Sequence, residues 1–158
     1  MGMTLGSCRV VGVLTAVVAL ALASGCGGGD KQEPSYSASS FSECLASKDV
    51  APKDMATGQP EGDRYFDALD RLASDAAQQN GAIEAFGNDA LPGASTIYFL
   101  FYGAHDAAQR AQTRLARIGK QEGSGDKLTV RGNLLSVASS QTEAQTRIID
   151  ECLDRSSG

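Results

Sequence analysis

The residues of this chain best suited to covalent chemistry are four cysteines, Cys8, Cys26, Cys44 and Cys152. A thiol can form a disulfide, bind a metal, attack a substrate or carry a lipid. The chain has no Cys-x-x-Cys motif and only one histidine, so the common patterns of zinc and redox sites are absent. The choice among the other uses depends on the compartment, which the segment before Cys26 indicates.

An apolar run precedes Cys26. Residues 10–23 are fourteen uncharged residues that follow the basic Arg9 and lead to the small residues Ser24 and Gly25. A membrane-spanning helix needs about 20 apolar residues, so this run is short for a span. A basic start, a short apolar middle and a small-residue end are typical of an export signal.

The residues Leu22-Ala23-Ser24-Gly25-Cys26 resemble the lipobox of bacterial lipoproteins, in which small residues precede a cysteine. Ala23 stands where that motif usually has leucine, and Leu22 lies one place further back. The resemblance implies that the signal is cut before Cys26 and that the Cys26 thiol carries a diacylglyceryl group. The protein would then be held by lipid on the extracytoplasmic face of the cell membrane. The alternative is an uncleaved signal anchor in which Cys26 has no role.

This interpretation divides the chain into four segments. Residues 1–25 are the signal peptide, and residues 26–40 are the lipidated cysteine with a flexible tether rich in Gly and Ser. Residues 41–153 form a single domain of ordinary size, and residues 154–158 are a polar tail.

Export places Cys44 and Cys152 in an oxidising compartment, where an even pair of cysteines is typical of a disulfide. Each lies on the apolar side of an amphipathic segment, Cys44 beside Leu45 and Cys152 near Ile149. We expect a disulfide that ties the first folded residues to the last. The competing interpretation is a metal or redox pair.

Hydrophobic periodicity predicts an α+β domain. The predicted helices are a short one over residues 41–47 and longer ones over 63–79, 104–121 and 141–153; the predicted strands cover 82–86, 95–102, 127–131 and 134–138. Gly132 and Asn133 favour a tight hairpin turn with positive φ at both positions, and Ser140 with Glu143 fits a capping box. We expect three or four antiparallel strands with about three helices on one face, as in a ferredoxin-like or related sandwich.

Three further groups of residues could do chemistry. His105 could be a general base. Asp63, Asp67 and Asp70 share a helix face and could bind a divalent cation through their oxygens. The aromatic run over residues 98–102 could stack against a ligand. We favour structural roles for all three, as a helix-start residue, a solvated helix face and a buried strand.

Arg110, Arg114, Arg117 and Lys120 recur at intervals of three and four residues, which places them together on one side of a predicted helix. Arginine forks suit phosphate or carboxylate groups. These residues are the best candidate for an interaction surface of the domain, for an anionic envelope polymer, a lipid headgroup or an acidic partner. The interpretation we favour for the pattern itself is a solvated face whose cations suit the helix C-terminus.

The charge balance and the missing motifs exclude several functions. Removing residues 1–25 would remove one basic residue and no acid, leaving 13 basic against 19 acidic residues and a net charge of −6. Nucleic-acid binding needs a basic footprint, so we expect none. The sequence has no nucleophile elbow, phosphate-binding loop or dinucleotide fingerprint.

Taken whole, the chain resembles small lipoproteins of high-GC Gram-positive bacteria, and that resemblance implies no activity. Our leading hypothesis is a non-enzymatic, membrane-anchored binding module outside the cytoplasm, without catalytic residues, metal or cofactor. The alternatives are a small-molecule carrier or sensor with a pocket between sheet and helices, and an enzyme accessory subunit.

Overall fold

The computed structural model describes residues 33–55, 62–87 and 95–157. Four helices and five strands lie in these ranges. The helices are α1 (Ala38–Ala46), α2 (Arg64–Ala77), α3 (His105–Glu122) and α4 (Glu143–Ser156). The strands are β1 (Lys53–Asp54), β2 (Gly81–Ala85), β3 (Ile97–Phe101), β4 (Lys127–Arg131) and β5 (Leu134–Ala138). The predicted signal peptide and the predicted lipidation site at Cys26 lie outside the described residues.

The strands form one antiparallel sheet in the order β1-β2-β3-β5-β4. The predicted α+β class is therefore confirmed, although five strands stand where three or four were expected. The additional strand is β1, whose two residues pair with Glu84 and Ile83 at one edge. A two-residue strand has no hydrophobic period, so sequence patterns do not reveal it. β5 lies between β3 and β4, and α3 makes the long connection from β3 to β4.

Helices cover both faces of the sheet. α1 and α4 pack on the face that carries Ile97, Phe99 and Phe101, whereas α2 and α3 pack on the face that carries Leu100 and Leu135. The predicted arrangement, with the helices on one face, is therefore wrong. Side chains alternate between the faces of a strand, so an apolar run such as β3 needs cover on both sides.

The predicted disulfide is present. Cys44 of α1 and Cys152 of α4 are bonded, with a Cα–Cα distance of 5.5 Å. The bond closes a loop of 108 residues, which in the chain-entropy model stabilises the fold by about 4–5 kcal/mol. Lys48 and Glu151 form an ion pair between the same two helices, and the hydrogen bond from Lys48 holds the pKa of Glu151 below its usual value.

The domain begins earlier than the predicted start at Phe41. Tyr36 forms a β-bridge with Ser157, and its backbone N–H donates to Oδ1 of Asn133 at 2.6 Å. The Asn133 amide in turn donates to the backbone carbonyls of Tyr36 and Tyr102, at 3.0 and 2.7 Å. Asn133 is buried, and it joins Tyr36 to the turn between β4 and β5. At the other end α4 runs to Ser156, so most of the predicted tail is helical.

Two local predictions near the last strands need correction. The turn between β4 and β5 is where it was predicted, but only Gly132 has positive φ, at 51°. The capping box of α4 is formed by Thr142 and Gln145, not by Ser140 and Glu143. Gln145 is fully buried and its side chain also donates to the Ser95 carbonyl at 3.0 Å, a tertiary contact that selects this register.

Gly132→Ala and Gly123→Ala give a matched test of the turn. Both glycines have positive φ, so each alanine should cost about 1–2 kcal/mol in backbone conformation. A Cβ at Gly132 would also lie 1.7 Å from the Pro34 carbonyl oxygen, whereas one at Gly123 meets nothing within 4 Å. Urea denaturation should show the larger loss for Gly132→Ala, with faster amide exchange at Tyr36. Equal losses would contradict the packing of Pro34 against the turn.

Candidate functional site

The exposed face of α3 carries the predicted interaction residues. The buried side of the helix is formed by Ala108, Ala111, Leu115 and Gly119. Arg110, Arg114 and Arg117 lie on the opposite side and Lys120 beside them, and all four are exposed. Within residues 33–55, 62–87 and 95–157, none of these four cations forms a salt bridge. We call these four residues the α3 cationic face.

A shallow depression of about 460 Å³ lies on this surface. Its lining residues are Asp106, Gln109, Arg110, Thr113, Arg114 and Arg117. All of them belong to α3, so the depression is formed by side chains standing out from one helix. Arg110 to Arg117 spans seven residues, or about 10 Å along the axis. Such a surface suits an extended partner with repeated acidic groups.

His105 is engaged at the start of α3. Its Nδ1 lies 2.8 Å from the Gly132 carbonyl oxygen; because a carbonyl only accepts, Nδ1 donates this bond. The contact fixes the β4–β5 turn against the helix. Among the described residues no hydrogen bond joins His105 to a carboxylate or a hydroxyl.

Asp63 and the two phenylalanines of the aromatic run have structural roles. Asp63 caps α2, since its Oδ1 accepts from the N–H groups of Tyr65 and Phe66 at 2.9 and 3.3 Å. No group of three His, Cys, Asp or Glu side chains in the described ranges is placed to hold a metal ion. Phe99 and Phe101 are fully buried and pack against Phe41, with ring centroids 4.9 and 5.5 Å away.

A second concave surface lies on the sheet side of α3. It is an open groove of about 660 Å³ between α3, the start of β4 and the edge of α2. We call it the α3–β4 groove. The apolar part of its lining is Leu115, Ala116, Gly119 and Leu128, and the polar part is Tyr65, Gln112, Thr113, Lys120, Ser124 and Asp126.

Tyr65 is the most buried polar residue of this groove. Its side chain is 4% exposed, and its ring lies on Gly119, where a Cβ would come within 3.1 Å of Cε2. The buried Tyr65 hydroxyl has no hydrogen-bond partner in the described part of the chain. Burial raises the pKa of Tyr65 far above its usual value, and the side chains of Ser124 and Asp126 are close enough to modulate that shift. Both side chains lie within reach of the Tyr65 hydroxyl, although neither meets the full distance and angle requirements of a hydrogen bond with it.

Tyr102 provides a comparison on the same side of the sheet. It is 3% exposed, and its hydroxyl donates to the Leu72 carbonyl at 3.2 Å. Burial raises the pKa of Tyr102 as well. Buried polar groups are normally hydrogen-bonded, because burying a polar group without a hydrogen-bond partner destabilises the fold by about 1–3 kcal/mol. Tyr102 follows this rule and Tyr65 departs from it.

Sequence reasoning located the α3 cationic face but missed the groove. Tyr65 lies within the helix predicted over residues 63–79, and a helical period says nothing about where its hydroxyl points. Ser124 and Asp126 lie between the predicted helix over residues 104–121 and the predicted strand over 127–131, where no pattern is present. The three residues meet through the packing of α2 on α3, which no local pattern specifies.

Comparisons of the chain with protein-family models, with curated proteins and with solved structures gave no match. Among the helices of the described ranges, none combines the length and the apolar character needed to cross a membrane.

Tyr65→Phe and Tyr102→Phe should have opposite effects on stability. Removing the unpartnered Tyr65 hydroxyl should leave the free energy of unfolding unchanged or raise it by about 1–2 kcal/mol, whereas removing the bonded Tyr102 hydroxyl should lower it by about 1 kcal/mol. Urea denaturation followed by circular dichroism measures both. A Tyr65→Phe loss as large as that of Tyr102→Phe would show that the Tyr65 hydroxyl has a partner in the native protein.

Proposed function

We propose that this protein is a membrane-anchored extracytoplasmic lipoprotein whose domain binds an anionic component of the cell envelope through the α3 cationic face. The anchor is lipid on Cys26. The domain acts by binding, without a catalytic step, metal or cofactor. Its partner is an acidic envelope protein or an anionic polymer.

The observation that supports binding is a set of exposed cations without salt bridges on an acidic protein. The full chain has 19 acidic and 14 basic residues. Of the basic residues outside α3 in the described ranges, Lys48, Arg64 and Arg131 form salt bridges and the others, Arg71, Arg147 and Arg155 among them, do not. The cations of α3 differ from these in lying together on one helix face. Arg110, Arg114 and Arg117 form no salt bridge within the described part of the chain. An external carboxylate or phosphate could therefore bind them without displacing an internal salt bridge.

The length of chain between Cys26 and the domain is compatible with binding of an envelope component. The chain joins the domain at Tyr36, ten residues after Cys26, and ten extended residues reach about 35 Å at most. The domain would stay close to the bilayer, where envelope polymers and membrane proteins are concentrated. The oxidised Cys44–Cys152 pair agrees with a location outside the cytoplasm.

The anchor is tested by Cys26→Ala. Intact-mass analysis of the wild-type protein extracted from membranes should show the chain from Cys26 onward, with added acyl groups and two hydrogens fewer for the disulfide. Cys26→Ala should leave the membrane fraction, since lipid attachment is the only anchor proposed, and Cys8→Ala is the matched control that should stay. Retention of Cys26→Ala at the wild-type level would contradict the proposal.

Binding is tested by charge reversal of Arg110, Arg114 and Arg117 to Glu. Co-sedimentation with purified cell envelopes should show binding about tenfold weaker than wild type, because three exposed ionic contacts are lost. Wild-type binding itself should weaken as salt is raised. The matched control reverses Arg71, Arg147 and Arg155, which are exposed on other helices and give the same change in net charge. If the control loses as much binding, or the α3 variant loses none, the α3 cationic face is not the binding surface.

A further inference from the structure

The α3–β4 groove has the features of a ligand site that the proposed function does not use. Its volume, about 660 Å³, lies within the range of about 300–1,000 Å³ common for small-molecule sites. An apolar back wall of Leu115, Ala116 and Leu128 stands beside several polar side chains. The Tyr65 hydroxyl, on a side chain 4% exposed, has no partner among the described residues. A ligand in the groove would supply the missing hydrogen bond.

The polar groups of the groove are both donors and acceptors. Asp126 is a half-buried carboxylate at the start of β4, and carboxylates only accept when ionised. Lys120 contributes an ammonium that only donates, and the hydroxyls of Tyr65 and Ser124 do both. Gln112 donates its amide N–H to the Leu128 carbonyl at 3.1 Å, so its side-chain oxygen can accept another bond.

The lining has one cationic side chain, Lys120, and one anionic side chain, Asp126. The groove therefore has no net charge that would attract an anion or a cation. A neutral hydroxyl group, which donates and accepts at once, can bond to every polar side chain present. The apolar wall fits the C–H face of a sugar ring, whose hydroxyls stand at its edge.

We propose that the α3–β4 groove binds a neutral saccharide, with the Tyr65 hydroxyl, the Asp126 carboxylate and the Ser124 hydroxyl bonding to sugar hydroxyls. The ring of the sugar lies against Ala116 and Leu128. Tyr65 remains neutral in this site, so its hydroxyl can donate. This inference does not depend on the anchor at Cys26, and the groove shares only Lys120 with the α3 cationic face.

The groove and the N-terminal attachment lie at opposite ends of the sheet. Tyr36 contacts the turn after β4 through Asn133, whereas Ser124 and Asp126 precede the start of β4. On α3 the groove lining begins at Gln112, seven residues or about 10 Å along the helix from His105, which contacts the β4–β5 turn. A saccharide in the groove therefore binds away from the residue through which a lipid anchor would hold the domain.

The test uses saturation-transfer NMR with the folded protein and a panel of sugars. The neutral probes are glucose, galactose, mannose, arabinose and N-acetylglucosamine. Each sugar is tested both as the monosaccharide and as a β-linked oligosaccharide of the same sugar. Glucuronate and glucosamine are the charged probes of matched size. At least one neutral sugar should give transfer, and glucuronate and glucosamine should give less. An affinity that rises with oligosaccharide length would identify a polysaccharide as the natural ligand. An affinity that is the same for the monosaccharide and the oligosaccharide would identify a free sugar.

The variants separate a binding role from a structural one. Tyr65→Phe should bind the sugar about fivefold more weakly, the loss expected for one hydrogen bond between neutral groups, while its unfolding midpoint stays the same or rises. Asp126→Asn should bind roughly tenfold more weakly, because hydrogen bonds to a charged acceptor are stronger. Tyr98→Phe, on the same face of the sheet but outside the groove lining, is the control and should bind as wild type.

The proposal is overturned if no neutral sugar gives transfer from the wild-type protein. It is also overturned if a charged probe binds more tightly than the matched neutral one, or if Tyr65→Phe and Asp126→Asn both bind as wild type. A loss of binding in Tyr98→Phe equal to that in Tyr65→Phe would assign the effect to packing and not to the groove.

Discussion

Strand β3 carries apolar side chains on both of its faces, with Ile97, Phe99 and Phe101 pointing one way and Leu100 the other. All four are completely buried, and a single helical layer could cover only one set. Burying a large apolar side chain contributes about 1.5–3 kcal/mol, so leaving either face of the strand open would be costly. The described helices are arranged around that requirement, with α1 and α4 on one side and α2 and α3 on the other.

The parts of the fold that sequence predicts are those with a local physical signal. α2 and α3 follow from apolar residues at intervals of three and four, β3 from its continuous apolar run, and the hairpin from Gly132. The Cys44–Cys152 bond followed from the inferred compartment and from the absence of a metal motif. The features that the sequence did not predict depend on contacts between distant residues. The register of the α4 capping box depends on the hydrogen bond from Gln145 to Ser95. The start of the domain depends on the hydrogen bond from Tyr36 to Asn133.

The two candidate surfaces differ in the same way. The α3 cationic face lies on one helix, so the helical period alone brings its members together. The α3–β4 groove combines Tyr65 from α2 with Gln112 of α3 and Asp126 before β4, which are far apart in sequence. Gly119 makes this possible, because the Tyr65 ring occupies the place that a side chain would fill. The sequence pattern shows a small residue in a helix, but it does not show that the Tyr65 ring packs closely against the helix at that residue.

The bridge between Tyr36 and Ser157 bears on how the domain would carry mechanical load. A pull transmitted from the N-terminal side reaches the domain at Tyr36, and only eight residues separate that point from Cys44. A pull applied between the two termini would pass from Cys44 through the disulfide to Cys152. Residues 45–151, which include the sheet and α3, lie inside the closed loop and would be bypassed by that force.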